Sequence, residues 1–321
     1  MSLGVLPLQL IQVEPQRASA FLDSQCPAVL ACTGPMNYRH AFHAGNHADV
    51  LKHIVMSRII EHLKQKDKPF RVVDAHAGVG VYALDGIEAG KTREWEGGIA
   101  KMQAAFSPEV EALLVPYRKI LAGLNPDGGF MRCPGSPEVI ARLLRPEDRF
   151  TLNELHPDDY AALRDRYYID ARAAITGIDA TVLMKANLPP PERRGLVLID
   201  PPYEVKNEKE LALDALRYGM RRFANGIFLI WYPVKGTDFA EQVCSSFQAL
   251  GIGPMMKVEL RVRESFAGGG LAGSGLIIVN PTWGLESELK ILVPALATRL
   301  GIGTWGHATI EWLVPPKGLI S

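Results

Sequence analysis

The amino-acid sequence predicts an α/β protein with a mainly parallel sheet that helices cover on both faces. The chain has 321 residues, of which 47% are hydrophobic and 22% charged, a composition typical of globular proteins. Segments with strand and helix patterns alternate along most of it, as they do where helices connect parallel strands. No apolar run approaches the roughly 20 residues that a membrane-spanning helix requires, so we expect a soluble protein without membrane segments.

Charge and cysteine usage narrow the choice of partner and compartment. Basic and acidic residues number 35 each, so the formal net charge is zero, and any polyanionic partner must be held by a local patch. The four cysteines, at positions 26, 32, 133 and 244, fit neither a zinc pattern nor a disulfide framework. The N-terminus lacks the basic residues and the cleavage site of a secretory signal. We therefore expect a cytoplasmic protein.

The first 35 residues differ from the rest of the chain. They show no helical or strand periodicity, whereas a pattern begins at once after Met36. We predict an N-terminal extension over residues 1–35 and a single domain over residues 36–321. The alternative is an N-terminal arm that packs on the domain.

The domain begins with a predicted helix and a predicted strand. Apolar residues from Val50 to Leu63 recur at steps of three and four, with Asn46 as the cap and Pro69 as the stop signal. Residues 70–74 then predict a short buried strand that runs into a glycine turn.

Residues from about 84 to 130 predict an inserted helical subdomain. They are rich in charge, with helices expected at 99–106 and 108–122. Beyond them the alternation resumes, with helices expected at 136–144, 157–168, 208–223, 238–250 and 285–300, and strands at 149–155, 173–178, 195–200, 226–232, 256–263 and 276–280. Ligands of such sheets bind at the carboxyl ends of the strands, so we expect the chemistry at those ends.

The sharpest motif follows the apolar strand that ends at Ile199. Asp200, Pro201, Pro202 and Tyr203 form a rigid turn, because two prolines lack a backbone donor and fix φ. A flat base with an exocyclic amine suits this turn: Asp200 and the Pro201 carbonyl accept its N–H groups, and Tyr203 stacks on the ring. The alternative is a tight structural loop in which Asp200 caps the next helix.

A second motif is the glycine turn after the first strand, Asp74 to Gly80. Its glycines allow a ligand to approach the backbone closely. Glu154, at the end of a later strand, is an acid suited to a ribose diol, and Asp179 follows the next strand, where it would face the adenine of a cofactor. Each acid alone is better explained as a solvated residue at a strand end, so only the ordered set predicts a cofactor site.

The third motif spans residues 38–53 and holds four of the eight histidines. One interpretation is a metal site of His40, His43 and His47, but no H-E-x-x-H arrangement or carboxylate pattern accompanies them. Basic and aromatic residues mixed with the histidines instead favour a surface for RNA, formed by Tyr38, Arg39, Lys52 and Arg58. A packed loop with satisfied histidines is the remaining alternative.

Seven motifs are shared with one known family: YRHAFHAGNHADVLKH at 38–53, DAHAG at 74–78, PGSP at 134–137, ELHP at 154–157, LIDPPYE at 198–204, WYP at 231–233 and GHAT at 306–309. Through them the chain from Met36 to about Pro315 resembles the bacterial 23S ribosomal RNA adenine-N6 methyltransferases, which use S-adenosylmethionine. The resemblance implies a Rossmann-like class I methyltransferase sheet with an inserted helical subdomain. It also implies N6-methylation of a specific adenine in 23S ribosomal RNA.

The resemblance assigns roles to individual residues. Tyr38 would match the residue of the family that touches the RNA. The chemistry of the turn gives Asp200, Pro201 and Tyr203 as the catalytic residues, and the basic segment adds Arg39 and Lys52 as RNA contacts. The cofactor contacts would be His53, His76, Ser136, Glu154, Asp179, Ala180 and Asp200. Ala180 stands where the family has glycine, a change that a backbone contact tolerates if φ is negative. No metal is implied, and we expect a monomer.

Other functions remain open from the sequence. A DNA adenine methyltransferase or a protein-glutamine methyltransferase would share the turn at Asp200. The glutamine enzymes usually carry asparagine at that position, and a DNA enzyme needs a base-reading domain for which little sequence remains. A non-catalytic RNA-binding protein would explain the basic segment but not the cofactor set.

Overall fold

The computed structural model of the protein describes residues 39–204 and 207–318. The predicted extension at 1–35 and the predicted RNA contact Tyr38 lie outside the described residues. The helices are α1 His47–Lys64, α2 Ile87–Thr92, α3 Pro108–Leu124, α4 Ser136–Leu143, α5 Pro157–Tyr167, α6 Ala180–Asn187, α7 Glu208–Arg222, α8 Phe239–Gln248 and α9 Leu285–Leu300. The strands are β1 Arg71–Asp74, β2 Val81–Ala83, β3 Arg132–Pro134, β4 Arg149–Asn153, β5 Ala173–Thr176, β6 Gly195–Ile199, β7 Ile227–Val234, β8 Met255–Arg261, β9 Gly273–Val279 and β10 His307–Val314.

One eight-stranded sheet, in the order β10-β8-β9-β7-β6-β1-β4-β5, forms the centre of the molecule. The strands from β5 to β7 pair in parallel, as predicted. The strands β9, β8 and β10 pair antiparallel, which the sequence pattern did not predict. Because β1 is in register with both β4 and β6, the carboxyl ends of these three strands lie at one edge of the sheet.

Helices cover both faces of the sheet. The α1, α3, α4 and α9 side chains pack in one apolar cluster, and those of α6, α7 and α8 in a second one. Neighbouring strand residues alternate between the two, since Val72 and Leu198 belong to the first and Val73 and Val197 to the second. This alternation follows from the two-residue period of a strand and explains why the strand sequences are apolar throughout.

The proposed insertion lies between β2 and β3, which pair antiparallel as a separate two-stranded ribbon. The predicted helix at 99–106 is a short 3₁₀ helix, Ile99–Gln103, because Gly97 and Gly98 precede it and the Pro108 start of α3 follows closely. Two further 3₁₀ turns occur: His40–Phe42 precedes α1, and Glu94–Gly97 lies within the insertion. None of the helices in the described ranges is long and apolar enough to cross a membrane.

The first helix begins as predicted. The Asn46 Oδ1 atom accepts hydrogen bonds from the backbone N–H groups of Ala48 and Asp49, at 2.9 and 3.1 Å. Such a cap stabilises a helix by about 1 kcal/mol. Asn46 also donates to Glu94 of the insertion at 3.0 Å, so one residue fixes the start of α1 and its position against the inserted segment.

Candidate active site

The turn at Asp200 leaves the sheet at the carboxyl end of β6, whose five residues are all buried. The backbone N–H of Asp200 donates to Nδ1 of His76, which follows β1, at 3.2 Å. Burial lowers the pKa of His76 to about 4, so its ring is neutral at physiological pH and its Nδ1 is free to accept. The Asp200 turn and the glycine turn are thereby joined directly.

Lys52 does not lie on an RNA-facing surface, which corrects the sequence prediction. Its side chain is 6% exposed, and its ammonium group contacts Asp200 Oδ2 and, at 3.1 Å, Asp49 Oδ1. Burial alone would lower the pKa of Lys52, but the charges of Asp200 and Asp49 outweigh burial and raise it. Lys52 therefore stays protonated and holds one oxygen of Asp200.

Arg58 is also absent from any RNA-facing surface. Its guanidinium group lies on α1 and binds both carboxylate oxygens of Glu288 on α9, at 2.8 and 2.9 Å. Both Lys52 and Arg58 occupy positions on α1 that other elements cover, and the sequence does not specify what covers a helix face.

Tyr203 is buried in the structure rather than presented as an open stacking face. Its ring meets Trp231 and Phe239 edge to face, with 5.8 Å between ring centroids in each case. Its φ angle is +55°, a left-handed conformation that is rare for a bulky residue and that costs about 1–3 kcal/mol. The expectation that this ring lies open to a flat base is corrected, because apolar neighbours from β7 and α8 enclose it.

His53, an expected cofactor contact, is enclosed by protein. Its side chain is 1% exposed, neither ring nitrogen makes a hydrogen bond within the described ranges, and Nε2 lies 4.0 Å from Asp49 Oδ1. Burial lowers the pKa of His53 to about 3, so the ring is neutral. In this structure the ring does not line an open surface.

Two other histidines of this segment contact carboxylates. His40 Nε2 lies 2.9 Å from Asp49 Oδ2, and His43 Nδ1 lies 2.9 Å from Glu94 Oε1. Arg39 is partly exposed and contacts Asp159 on α5 at 3.3 Å. In the part of the chain that the structure describes, no three histidine, cysteine or acidic side chains are arranged to hold a metal ion.

Glu154 fixes the glycine turn. It directly follows β4, and its two carboxylate oxygens accept the backbone N–H groups of Gly78 and His156, each at 2.8 Å. Gly78 has a φ of +63°, and a Cβ atom there would lie 2.3 Å from the hydroxyl oxygen of Tyr82, so only glycine fits. Burial raises the pKa of Glu154. A carboxylate thus stands beside the glycine turn, as the sequence predicted.

Asp74 is a site residue that the sequence analysis did not select, although it ends β1 within the glycine motif. It is fully buried, Oδ1 accepts from the His76 backbone N–H at 3.2 Å, and Oδ2 has no hydrogen-bond partner among residues 39–204 and 207–318. Burial raises its pKa to about 7, although the nearby Ser136 hydroxyl favours the charged form. Ser136 begins α4 at the return from the β2–β3 ribbon, which explains why it reaches β1.

Asp179 and Ala180 lie after β5, at the start of α6. Asp179 is exposed and caps α6, accepting from the Thr181 and Val182 backbone N–H groups at 2.8 and 3.1 Å. Ala180 is the first residue of this helix, where backbone φ is negative, so alanine is tolerated in place of glycine. The sequence analysis expected the acid here but missed the short helix that follows it.

These residues form one row along the carboxyl edge of the sheet. Neighbouring strands lie in the order β6, β1, β4 and β5. Asp200 follows β6, and Asp74 is the last residue of β1, with His76 just after it. Glu154 follows β4, and Asp179 follows β5. With strands about 4.8 Å apart, the row spans about 14 Å. An edge of this length, with acids spaced along it, suits an extended nucleoside with a charged arm.

The family model described as "Ribosomal RNA large subunit methyltransferase D, RlmJ" matches residues 67–314 of the chain. The chain belongs to this family. Ribosomal RNA large subunit methyltransferase J of Escherichia coli K12 is 43% identical over 282 residues, which cover 87% of this chain and 99% of that protein. The protein of the same name from Haemophilus influenzae is 42% identical over 284 residues, with the same coverage.

A solved structure is also similar to this chain. Protein LPL1258 of Legionella pneumophila is 32% identical, has a TM-score of 0.76, and matches 84% of this chain and 98% of its own length. The resemblance inferred from the motifs is therefore confirmed, and with it the methyltransferase activity and the Rossmann-like class I fold. A methyltransferase requires a methyl donor, and S-adenosylmethionine is the donor that the resemblance implies.

Proposed function

We propose that this protein transfers the methyl group of S-adenosylmethionine to N6 of a specific adenine in 23S ribosomal RNA. The observation that carries the proposal is Asp200, held by Lys52 and His76 where the row of acids begins. Membership of a family of ribosomal RNA large subunit methyltransferases supports the choice of RNA. Family membership favours an RNA methyltransferase over the three alternatives, namely a DNA methyltransferase, a protein-glutamine methyltransferase and a non-catalytic RNA-binding protein.

The row along the carboxyl edge fits the cofactor. S-adenosylmethionine, when bound, supplies a methyl group on a cationic sulfur. Glu154 would hold the ribose diol, Asp179 and Ala180 the adenine end, and His76, Ser136 and Asp74 the amino-acid arm. Asp74 Oδ2 is a buried acceptor without a partner in the described residues, and a positively charged amine would satisfy it. We propose these contacts as the cofactor site.

Asp200 and the Pro201 carbonyl would position the substrate amine. The N6 nitrogen of adenine is a poor nucleophile, because its lone pair is delocalised into the ring. Two acceptors for its N–H bonds favour a pyramidal nitrogen and aim the lone pair, so catalysis rests mainly on positioning. Since Lys52 contacts Oδ2 of Asp200, the Oδ1 atom is placed to accept from the amine and to take its proton after transfer.

The substrate adenine would have to leave its stem to reach this edge. Arg39, beside the histidine segment, and Tyr38, outside the described residues, remain our proposed RNA contacts, whereas Lys52 acts on Asp200 instead. We further propose that the protein works as a monomer in the cytoplasm. Analytical ultracentrifugation of the purified protein tests the first of these points, and cell fractionation the second.

A methyl-transfer assay tests the proposed function. The purified protein is incubated with radiolabelled S-adenosylmethionine and 23S ribosomal RNA lacking the modification, and the nucleosides are separated after digestion. We expect label in N6-methyladenosine only. Asp200→Asn should lose at least about 100-fold in rate, because Lys52 would keep the remaining amide oxygen and the amide N–H groups would face the substrate amine in place of an acceptor. Asp127→Asn, in an exposed loop, is the matched control. Label in duplex DNA or in a glutamine peptide, or an active Asp200→Asn variant, would overturn the proposal.

A further inference from the structure

The amino edge of the sheet, opposite the candidate active site, carries a concentration of positive charge. We call it the basic edge and define it by Lys66, Lys68, Arg145, Arg193 and Arg194. These residues lie in the loops that lead into β1, β4 and β6. They do not contribute to the site described above.

Hydrogen bonds hold these loops together as one surface. Arg194 donates to the backbone carbonyls of Lys68 and Leu63, at 2.6 and 2.7 Å. Arg145 donates to the carbonyls of Lys66 and Lys68, at 3.3 and 3.0 Å. The two guanidinium groups lie 5.7 and 5.9 Å from the centroid of the Phe70 ring. The cations are therefore carried by a fixed backbone rather than by independent loops.

The charge of this surface is only partly neutralised. Arg145 pairs with Asp148 and Glu147. Lys66, Lys68 and Arg193 are exposed, and none of the three forms an ion pair with a residue in the described ranges. Burial and the neighbouring Arg145 lower the pKa of Arg194, as expected where cations are crowded together. In a protein of zero net charge, this crowding makes a local anion-binding surface.

An exposed aromatic residue stands on the same side. Trp283 is 98% exposed in the loop between β9 and α9. The hydroxyl oxygen of its neighbour Thr282 lies 2.6 Å from Nδ1 of His62. His62 belongs to the last turn of α1, and Lys66 follows shortly after the end of that helix. Asn280 anchors the loop through the carbonyls of Ala224 and Gly226, at 2.9 and 2.8 Å. The indole is thus held open to solvent on an anchored loop.

We propose that the basic edge and Trp283 bind a second segment of the substrate RNA, distant from the adenine that is methylated. Lys66, Lys68 and Arg193 contact phosphates, and Trp283 stacks on an unpaired base. Charge complementarity selects a polyanion, and the flat open ring at the same edge as the cations selects a nucleic acid with accessible bases. The proposal rests on the proposed function, because it assumes that RNA is the substrate.

The geometry gives this surface a specific consequence. The strands β1 and β6 have four and five residues, so at about 3.3 Å per residue they separate the two edges by about 13–17 Å, before the loops are added. A nucleotide at the basic edge is then separated from the adenine in the active site by several nucleotides of an extended strand, or belongs to another part of the folded RNA. A large RNA fragment should bind more tightly than a short hairpin that holds the target adenine.

Two variants test the proposal. The first is the triple substitution Lys66→Ala, Lys68→Ala and Arg193→Ala, and the second is Trp283→Ala. The matched control, Arg164→Ala with Lys185→Ala and Lys290→Ala, also removes three exposed cations, but from α5, α6 and α9. Filter binding to full-length 23S ribosomal RNA is measured over a salt series, with methylation kinetics and calorimetry of S-adenosylmethionine binding in parallel.

We expect the basic-edge triple variant to bind RNA at least about tenfold more weakly, with a salt slope smaller by two to three. Trp283→Ala should weaken binding about tenfold with an unchanged salt slope. In both variants KM for RNA rises, while kcat and cofactor affinity stay as in wild type. The control should stay within about twofold.

The outcomes separate this proposal from the proposed function. If wild-type protein methylates no RNA, the proposed function fails. If it methylates RNA and the basic-edge variants match the control, only the second RNA contact fails. A defect confined to ribonucleoprotein particles, with naked RNA bound normally, would overturn the proposal in favour of a protein partner.

Discussion

At the scale of single residues, the surroundings of Asp74 oppose its ionisation. Burial, and secondarily the charge of Asp200, raise its pKa to about 7, against about 4 in an unfolded chain. Because the folded-state pKa is the higher one, the group contributes stability that is fully present below about pH 4. That contribution is lost as the pH rises through 7.

Asp74→Asn is therefore expected to become more stable than wild type as the pH rises. Between pH 5 and 7 the difference in the free energy of unfolding should grow by about 1.4 kcal/mol per pH unit, since the variant has no proton to lose. Urea denaturation of the cofactor-free proteins at pH 5, 6, 7 and 8 measures it. Asp127→Asn, at an exposed position, should show no such trend. A difference that is constant with pH would show that Asp74 does not titrate in this range.

Residues also show where the sequence was informative about the site. Asp200, Glu154 and Asp179 were predicted at strand ends and lie there, because turn residues directly after a buried strand are a local signal. Lys52 was assigned to RNA and His53 to the cofactor, and both side chains are buried. Burial on α1 depends on the distant Asp200 turn and on the insertion, which spacing along the helix does not reveal. The pair Asp49 and Lys52, three residues apart, was a local signal for the ion pair.

At the scale of elements, α1 and α9 are joined through one carboxylate. Glu288 on α9 accepts from Arg58 and lies 2.9 Å from His62 Nε2, both on α1. Burial alone would raise the pKa of Glu288, but Arg58 and His62 outweigh it and lower the pKa. The stability that this group contributes is therefore present above the pKa of the unfolded state, near 4, and is lost as the pH falls below it.

Glu288→Gln is expected to destabilise the protein by about 1–3 kcal/mol at pH 7, because it leaves a largely buried arginine without its charged partner. Glu286→Gln on the same helix is the matched control. Its partner Lys290 is 60% exposed, and such pairs are worth less than about 0.5 kcal/mol. Thermal and urea denaturation of both variants provide the comparison. Equal effects of the two substitutions would show that α9 is held by apolar contacts alone.

Three elements of the fold were not predicted from the sequence: the strand β10, the antiparallel pairing of β8 to β10, and the helix α6. The residues of β10 alternate, with Ala308, Ile310 and Trp312 separated by polar residues, so the strand signal was present but was attributed only to a family motif. The antiparallel half of the sheet was not predictable, since strand direction follows from long-range pairing and not from periodicity. The eight-residue helix α6 is too short to show a clear period, and its cap, Asp179, had been assigned to the cofactor.

At the scale of the whole molecule, the two sheet edges have separate roles in our interpretation. The carboxyl edge carries the row from Asp200 to Asp179, and the amino edge carries the cations and Trp283. The parallel strands make this division unavoidable, because their turns before and after each strand lie at opposite edges. Zero net charge is then compatible with RNA binding, since the positive charge is concentrated where the acids of the active site are absent.

The N-terminal limit of the folded domain can be tested by truncation. Deletion of residues 1–35 should change the melting temperature by less than about 2 °C, because this segment has no apolar periodicity with which to join a core. Deletion of residues 1–46 is the matched comparison. It also removes Asn46, which caps α1 and binds Glu94, and the His40 contact with Asp49. Since a cap alone is worth about 1 kcal/mol, we expect this second variant to melt several degrees lower. Scanning calorimetry measures the melting temperatures of both variants. A drop of many degrees on deletion of residues 1–35 would show that these residues pack on the domain.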